Sequence, residues 1–185
     1  MDSVFSKLKQ MLSFVYSLSL WQVLLLTAVI IAAFGVAGGL FGLKKQWKII
    51  CAVLFSLVFA AIIAITMVFR SQYYRGYLLV PFQRLIESQD PDDVILEMAQ
   101  NAFLFVPFGT VLPFLLDGKH LKRFLATAGA ALAFSITIEI LQYKLSVGFA
   151  QGDDVLMNVL GAAVGFFSFL LADYISKKKK RRVKK

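Results

Sequence analysis

Stretches of about twenty apolar residues dominate this chain, at about Leu20–Leu43, Trp47–Phe69, Ile95–Leu116, Phe124–Tyr143 and Val155–Ile175. A helix of that length rises about 30 Å, which is the thickness of a bilayer's hydrocarbon core. In water, a chain of 185 residues could not conceal this content: 59% of its residues are hydrophobic, 17% are charged and the mean hydropathy is +0.74. The sequence therefore supplies four or five membrane helices. The expected fold is all-α, a polytopic transmembrane helical bundle of about five spans. Cys51 is the single cysteine and so has no disulfide partner within the chain. In its apolar run it reads as a small buried or lipid-facing side chain.

Features between and within the spans add detail. Residues 1–19 form a short amphipathic lead with Lys7 and Lys9 among apolar residues, and the apolar run behind it is too long for a cleaved signal's core. The first span carries Gly35, Gly38, Gly39 and Gly42, two overlapping GxxxG pairs of the kind that lets helix backbones approach closely. Trp21 and Trp47 fall at span edges, where indole prefers the interface. Residues 70–97 hold Arg70, Arg75, Arg84, Glu87, Asp90, Asp92, Asp93 and Glu97, yet Tyr77–Phe82 is too apolar for a loop in water. That stretch is expected to lie in the interface or re-enter the bilayer before the third span. Pro107 and Pro113 predict a bent third helix.

The net charge of +9 is concentrated: eight of the twenty basic residues lie in 177–185. Such a tail, placed directly behind a span and without interleaved aromatics, reads as a topological anchor near anionic lipid headgroups and not as a nucleic-acid interface. With five spans, Lys44, Lys45, Lys48, Lys119, Lys122, Arg123 and the tail share one face, leaving six basic residues on the other. The positive-inside rule then places the C-terminus in the cytoplasm and the N-terminus outside. The acidic segment 87–97, the end of the fourth span and the start of the fifth fall on the outer side.

Polar residues within or beside the spans are the candidates for chemistry. Glu139 is an ionisable group within a span, costly unless paired, hydrated or protonated, and Gln142 shares its helical face. It could equally be solvated near the interface or paired with an arginine. Asp153, Asp154 and Asn158 open the last span; one aspartate is explained by capping, two plus an amide one turn on are more than capping needs. Asn101 can hydrogen-bond across helices, and His120 reads as a surface residue. Arg84 is the expected cationic partner of Glu139, Asp153, Asp154 or an anionic headgroup. The carboxylate spacing fits no metal motif, and no phosphate-binding, nucleophile-elbow or zinc-protease signature occurs, so neither metal nor cofactor is expected.

Four ordered blocks carry a resemblance over Tyr77 to Ala172: Leu79–Phe82; Asn101–Gly109; Ser135, Ile138, Glu139 and Gln142; and Asp153–Gly161 with Gly165. This half resembles the VanZ-like family of small bacterial membrane proteins. The resemblance divides the chain into a two-span extension (1–76), a VanZ-like membrane domain (77–176) and a basic tail (177–185). It implies a role in the cell envelope, linked in founding members to resistance against teicoplanin and related lipoglycopeptides. Where the family pattern has a Gly-Arg pair and a further Asp, this chain reads Val147–Gly152, with Gln151 in the acid's place, which leaves Arg84 as the nearer cation. The implied partners are membrane lipids and a lipid-linked envelope precursor or lipoglycopeptide. Two other readings stay open: an enzyme on lipid or cell-wall intermediates, with Glu139 or an aspartate as base and Arg84 holding a phosphate, and a small proton-coupled transporter.

Overall fold

The structure, a computed structural model, describes residues 14–41, 45–68 and 75–183. The lead up to residue 13, Gly42 with its GxxxG pair, Lys44, Arg70 and the last two lysines lie outside the described residues. A 3-10 turn at Phe14–Ser17 precedes α1 (Leu20–Phe41), and α2 (Lys45–Ile63) runs into a π-helical turn at Ala64–Val68. Then follow β1 (Arg75–Leu78), α3 (Gln83–Glu87), α4 (Pro91–Leu115), α5 (His120–Leu145), β2 (Gly148–Gln151), α6 (Gly152–Gly165) and α7 (Phe167–Val183). Phe166 keeps a right-handed helical backbone, so α6 and α7 together make a last span of 31 residues, Gly152–Arg182. Five helices are thus long and apolar enough to cross a bilayer.

The third span starts at Pro91, four residues ahead of the expected Ile95, because local chemistry favours a helix start there. Pro91 needs no amide partner in the first turn, and Asp92 and Asp93 meet the positive end of the helix dipole. α4 also remains one continuous helix through Pro107 and Pro113. It is the centre of the bundle: 61% of its most apolar window is buried, against 22% for α1 and for α2. Around it lies one core of Ile62, Leu104, Phe105, Phe108, Ala131, Ile138 and Ala162, and a second of Trp47, Cys51, Val111, Phe114 and Ala172.

Small residues set how closely the helices approach. A Cβ on Gly161 would sit 1.8 Å from the Ala102 carbonyl oxygen, and one on Gly109 would sit 1.9 Å from that of Ala162. The α4–α6 seam is therefore backbone against backbone, the arrangement that small residues permit in a membrane helix pair. Gly35, Gly38 and Gly39 serve packing as expected, but against side chains of α4 and α7: Leu171, Phe114, Ala172 and Ile175. Trp47 departs from expectation. It is buried between Phe34 and Phe114, with ring centroids 5.9 and 5.8 Å away, because α2 turns its first helical turn toward the bundle. Trp21 stays exposed.

The segment before α4 contains a strand. β1 pairs in parallel with β2, Arg75 opposite Gly148 through Leu78 opposite Gln151. Tyr77 and Leu78 thereby lie in a strand pair at one end of the bundle, while Tyr77, Leu79 and Val80 remain exposed. At this end the Gln100 amide donates to the Leu18 carbonyl at 2.8 Å, tying the start of α1 to α4. The opposite end holds the Lys48–Asp117 pair at 3.2 Å and Asp173, which meets Lys177 at 2.6 Å and His120 at 3.4 Å. His120 is a surface group, as its place in the turn suggests.

Candidate functional site

Helical periodicity builds the site from three helices and a strap. α5 places Ser135 and Glu139 one turn apart, with Gln142 three residues on, and all three are buried. α6 offers Asp153 and Asp154 in its first turn and Asn158 one turn deeper, again buried. From α4 come Glu97 and Asn101, four residues apart on one face. The strap is the segment from β1 to α3, which brings Phe82 and Arg84 over the start of α6.

Every amide and carboxylate singled out from the sequence has a defined partner at this end. The Asn101 amide donates to Asp154 Oδ1 at 2.7 Å, and the Asn158 amide donates to Ser135 Oγ at 2.8 Å. Glu139 Oε2 accepts from the Gln151 backbone N–H at 2.7 Å. Gln142 donates to the carbonyl of Thr66 at 3.0 Å, inside the π-helical turn of α2. Asp153 does not cap its own helix. Its Oδ1 accepts the Phe82 N–H at 2.6 Å, clamping a residue whose φ of 62° lies in the left-handed region that a bulky side chain rarely adopts.

Arg84 corrects the expectation. Its partner is neither Glu139 nor an aspartate but Glu97, held by a two-pronged fork at 3.1 and 2.7 Å, with the Gln151 side-chain oxygen 2.7 Å from Nη1. The reason is reach: α3 lies over the first turns of α4, beside Glu97, while Asp153 is already engaged by the strap's own backbone. The Glu97 hydrogen bond, offset in part by burial and reinforced by attraction to Glu97, Asp154 and Asp153, holds the guanidinium pKa above its ordinary value. The Arg84 head is thus a cation among three carboxylates, Glu97, Asp153 and Asp154, with its best bidentate face already occupied.

Sequence reasoning overlooked Glu97, although its spacing from Asn101 gave a signal. It treated Gln151 as a departure only; its two hydrogen bonds depend on the parallel strand pair, which no local pattern announces. Among the described residues no three of His, Cys, Asp or Glu gather as a metal site would require. What gathers instead is a set of carboxylate oxygens fixed by amides, suited to accepting hydrogen bonds from hydroxyl or ammonium groups.

Comparison with known proteins follows the same residues. The VanZ/LLP1 family pattern matches residues 47–173, more than half of the chain. The chain belongs to the VanZ/LLP1 family. Protein VanZ of Enterococcus faecium is 32% identical over 88 residues, 47% of this chain and 53% of that relative, so the chain spans about half of the relative's length. No solved structure matches.

The VanZ/LLP1 match takes in α2, which the four motif blocks leave outside. Physically α2 belongs with them: it lends Thr66 to Gln142 and packs Trp47 and Cys51 into the core beside Phe114. Gln151 faces Arg84 as a neutral acceptor. Beside it a groove of about 620 Å³ opens between α5 and the strand pair, with Glu139 and Gln151 in its lining.

Proposed function

We propose that this VanZ-like membrane protein acts in the cell envelope and lowers susceptibility to lipoglycopeptides of the teicoplanin type. It does so through an outward-facing polar site that binds or modifies a lipid-linked group. The observation that carries this reading is convergence: Arg84, Asn101, Glu139, Gln142, Asp153, Asp154 and Asn158 come from separate hydrophobic segments and meet at the end of the bundle opposite the basic tail. The last span carries Asp153 in its first turn and runs into the lysines at its other end, so a tail retained in the cytoplasm would leave the site at the external leaflet. Buried carboxylates fixed by amides suit a donor-rich group, such as the sugar or amine of an envelope precursor.

A phosphate-holding role for Arg84, as an enzyme on lipid intermediates would need, must first break the fork to Glu97. The binding form of the reading is therefore favoured.

Deleting the protein is expected to change teicoplanin susceptibility more than vancomycin susceptibility; equal responses would overturn the proposal. In a Glu139→Gln strain, an unchanged lipid profile beside a lost phenotype marks binding, whereas an altered profile marks modification.

A further inference from the structure

The groove beside Glu139 has a shape that the polar network does not use. Its α5 wall consists of Ile136, Glu139, Ile140, Tyr143 and Lys144, a stripe with the i, i+3, i+4, i+7, i+8 spacing of one helix face. That stripe runs about 12 Å along the helix axis, parallel to the chains of a surrounding leaflet. The facing wall is almost wholly apolar, with Leu79, Ala150 and Val155. Ile136 and Ile140 are also exposed on the outer surface of the bundle, so the slot is open sideways to lipid. Glu139, the acid in its wall, is buried and accepts the Gln151 N–H, so the surface the slot exposes is mostly apolar.

Where the slot reaches the end of the fourth candidate span stands Lys144, in the last turn of α5, exposed and without an ion pair among the described residues. The Tyr77 and Tyr143 rings, edge to face at 6.2 Å, flank it. An apolar slot that ends in an unpaired ammonium at interface depth complements one ligand chemistry: an aliphatic chain bearing a phosphate.

We propose that this groove holds an acyl chain of an anionic phospholipid from the adjacent leaflet, with the lipid phosphate at Lys144. This names the lipid class for the site described above and rests on that reading for a lipid-borne ligand. The chain enters laterally between Ile136 and Ile140, and its headgroup is presented beside Glu139 and the strap.

The test uses the purified full-length protein in nanodiscs containing phosphatidylglycerol with a photoreactive acyl chain. Labelling is expected on Ile136, Ile140 or Val155, and Ile140→Trp, which fills the slot, should reduce it at least about threefold. Leu141→Trp, equally lipid-exposed but outside the groove lining, should leave it unchanged. The unaltered protein should retain phosphatidylglycerol over phosphatidylcholine, and Lys144→Gln should erase that preference. Equal labelling of Ile140→Trp and the unaltered protein, or equal retention of the two lipids by the unaltered protein, overturns the proposal. Labelling reads the groove whether or not susceptibility changes. A failed susceptibility test with intact labelling therefore sinks the resistance reading alone, and lost labelling with an intact phenotype sinks the groove alone.

Discussion

The two ends of this bundle use the same kinds of side chain in opposite ways. At the tail end, Lys48 meets Asp117 with side chains 53% and 86% exposed, and Asp173 is shared between Lys177 and His120. Water and salt screen such pairs, and each contributes little. At the site end, Asp153, Asp154, Glu139, Asn101 and Asn158 are buried, and each is matched to a specific donor or acceptor. There a lost partner leaves a desolvated polar group, which is far more costly than the loss of a surface pair. Charge at one end is screened and weakly coupled; at the other it is built into the packing.

The widest contrast lies in the seams. Gly161→Ala drives a methyl into the Ala102 carbonyl, which cannot move without shifting α4, and is expected to destabilise by about 3 kcal/mol. Gly35→Ala meets the Leu171 side chain down to its Cβ, 2.9 Å away, so a rotamer change relieves only part of the clash, and it should cost less than Gly161→Ala, about 1–2 kcal/mol. Thermal unfolding in detergent would rank the two, and a reversed order would refute a backbone seam at α4–α6.

Next in size is Asn101→Leu, which removes the donor to buried Asp154 and should cost about 2–3 kcal/mol. Asp154→Asn in the same background should recover part of the loss, because a neutral amide is cheaper than a carboxylate to bury without the Asn101 donor. If the single variant unfolds like the unaltered protein, the site end is wetter than its burial implies.

A double-mutant cycle of Arg84→Gln with Glu97→Gln should yield a coupling of about 1 kcal/mol, since the fork is bidentate yet about a third exposed. The matching cycle for Lys48 and Asp117 should fall below about 0.5 kcal/mol and vanish in high salt. Similar values in both cycles would erase the distinction between the ends.

Smallest of all is Lys48→Gln alone, with an expected change within about 0.5 kcal/mol in thermal unfolding.

Much of the candidate site was legible because it rests on local periodicity. Glu139 and Gln142 share a face at three residues' spacing, and Asp154 and Asn158 at four, whatever packs against them. The pairing was not legible. Arg84 meets Glu97 through the fold of a short helix over α4, and Gln151 enters the network through a parallel strand whose partner lies some seventy residues earlier. Trp47 went astray for the same reason: a span edge is also the first turn of a helix, and the direction of that turn is a tertiary matter.

The sequence by itself determined that the chain is a membrane bundle, that four or five of its segments are long and apolar enough to cross, and which residues are too polar to face lipid. Those properties are sums along the chain, since hydropathy and length need no knowledge of neighbours. Only the tertiary structure decided which donor meets which carboxylate, that a strap clamps Phe82 to Asp153, and that a groove opens beside Glu139. Those outcomes depend on how far α6 and α5 rotate and slide against α4. That geometry is fixed by the glycine seam and by contacts between residues distant in the chain.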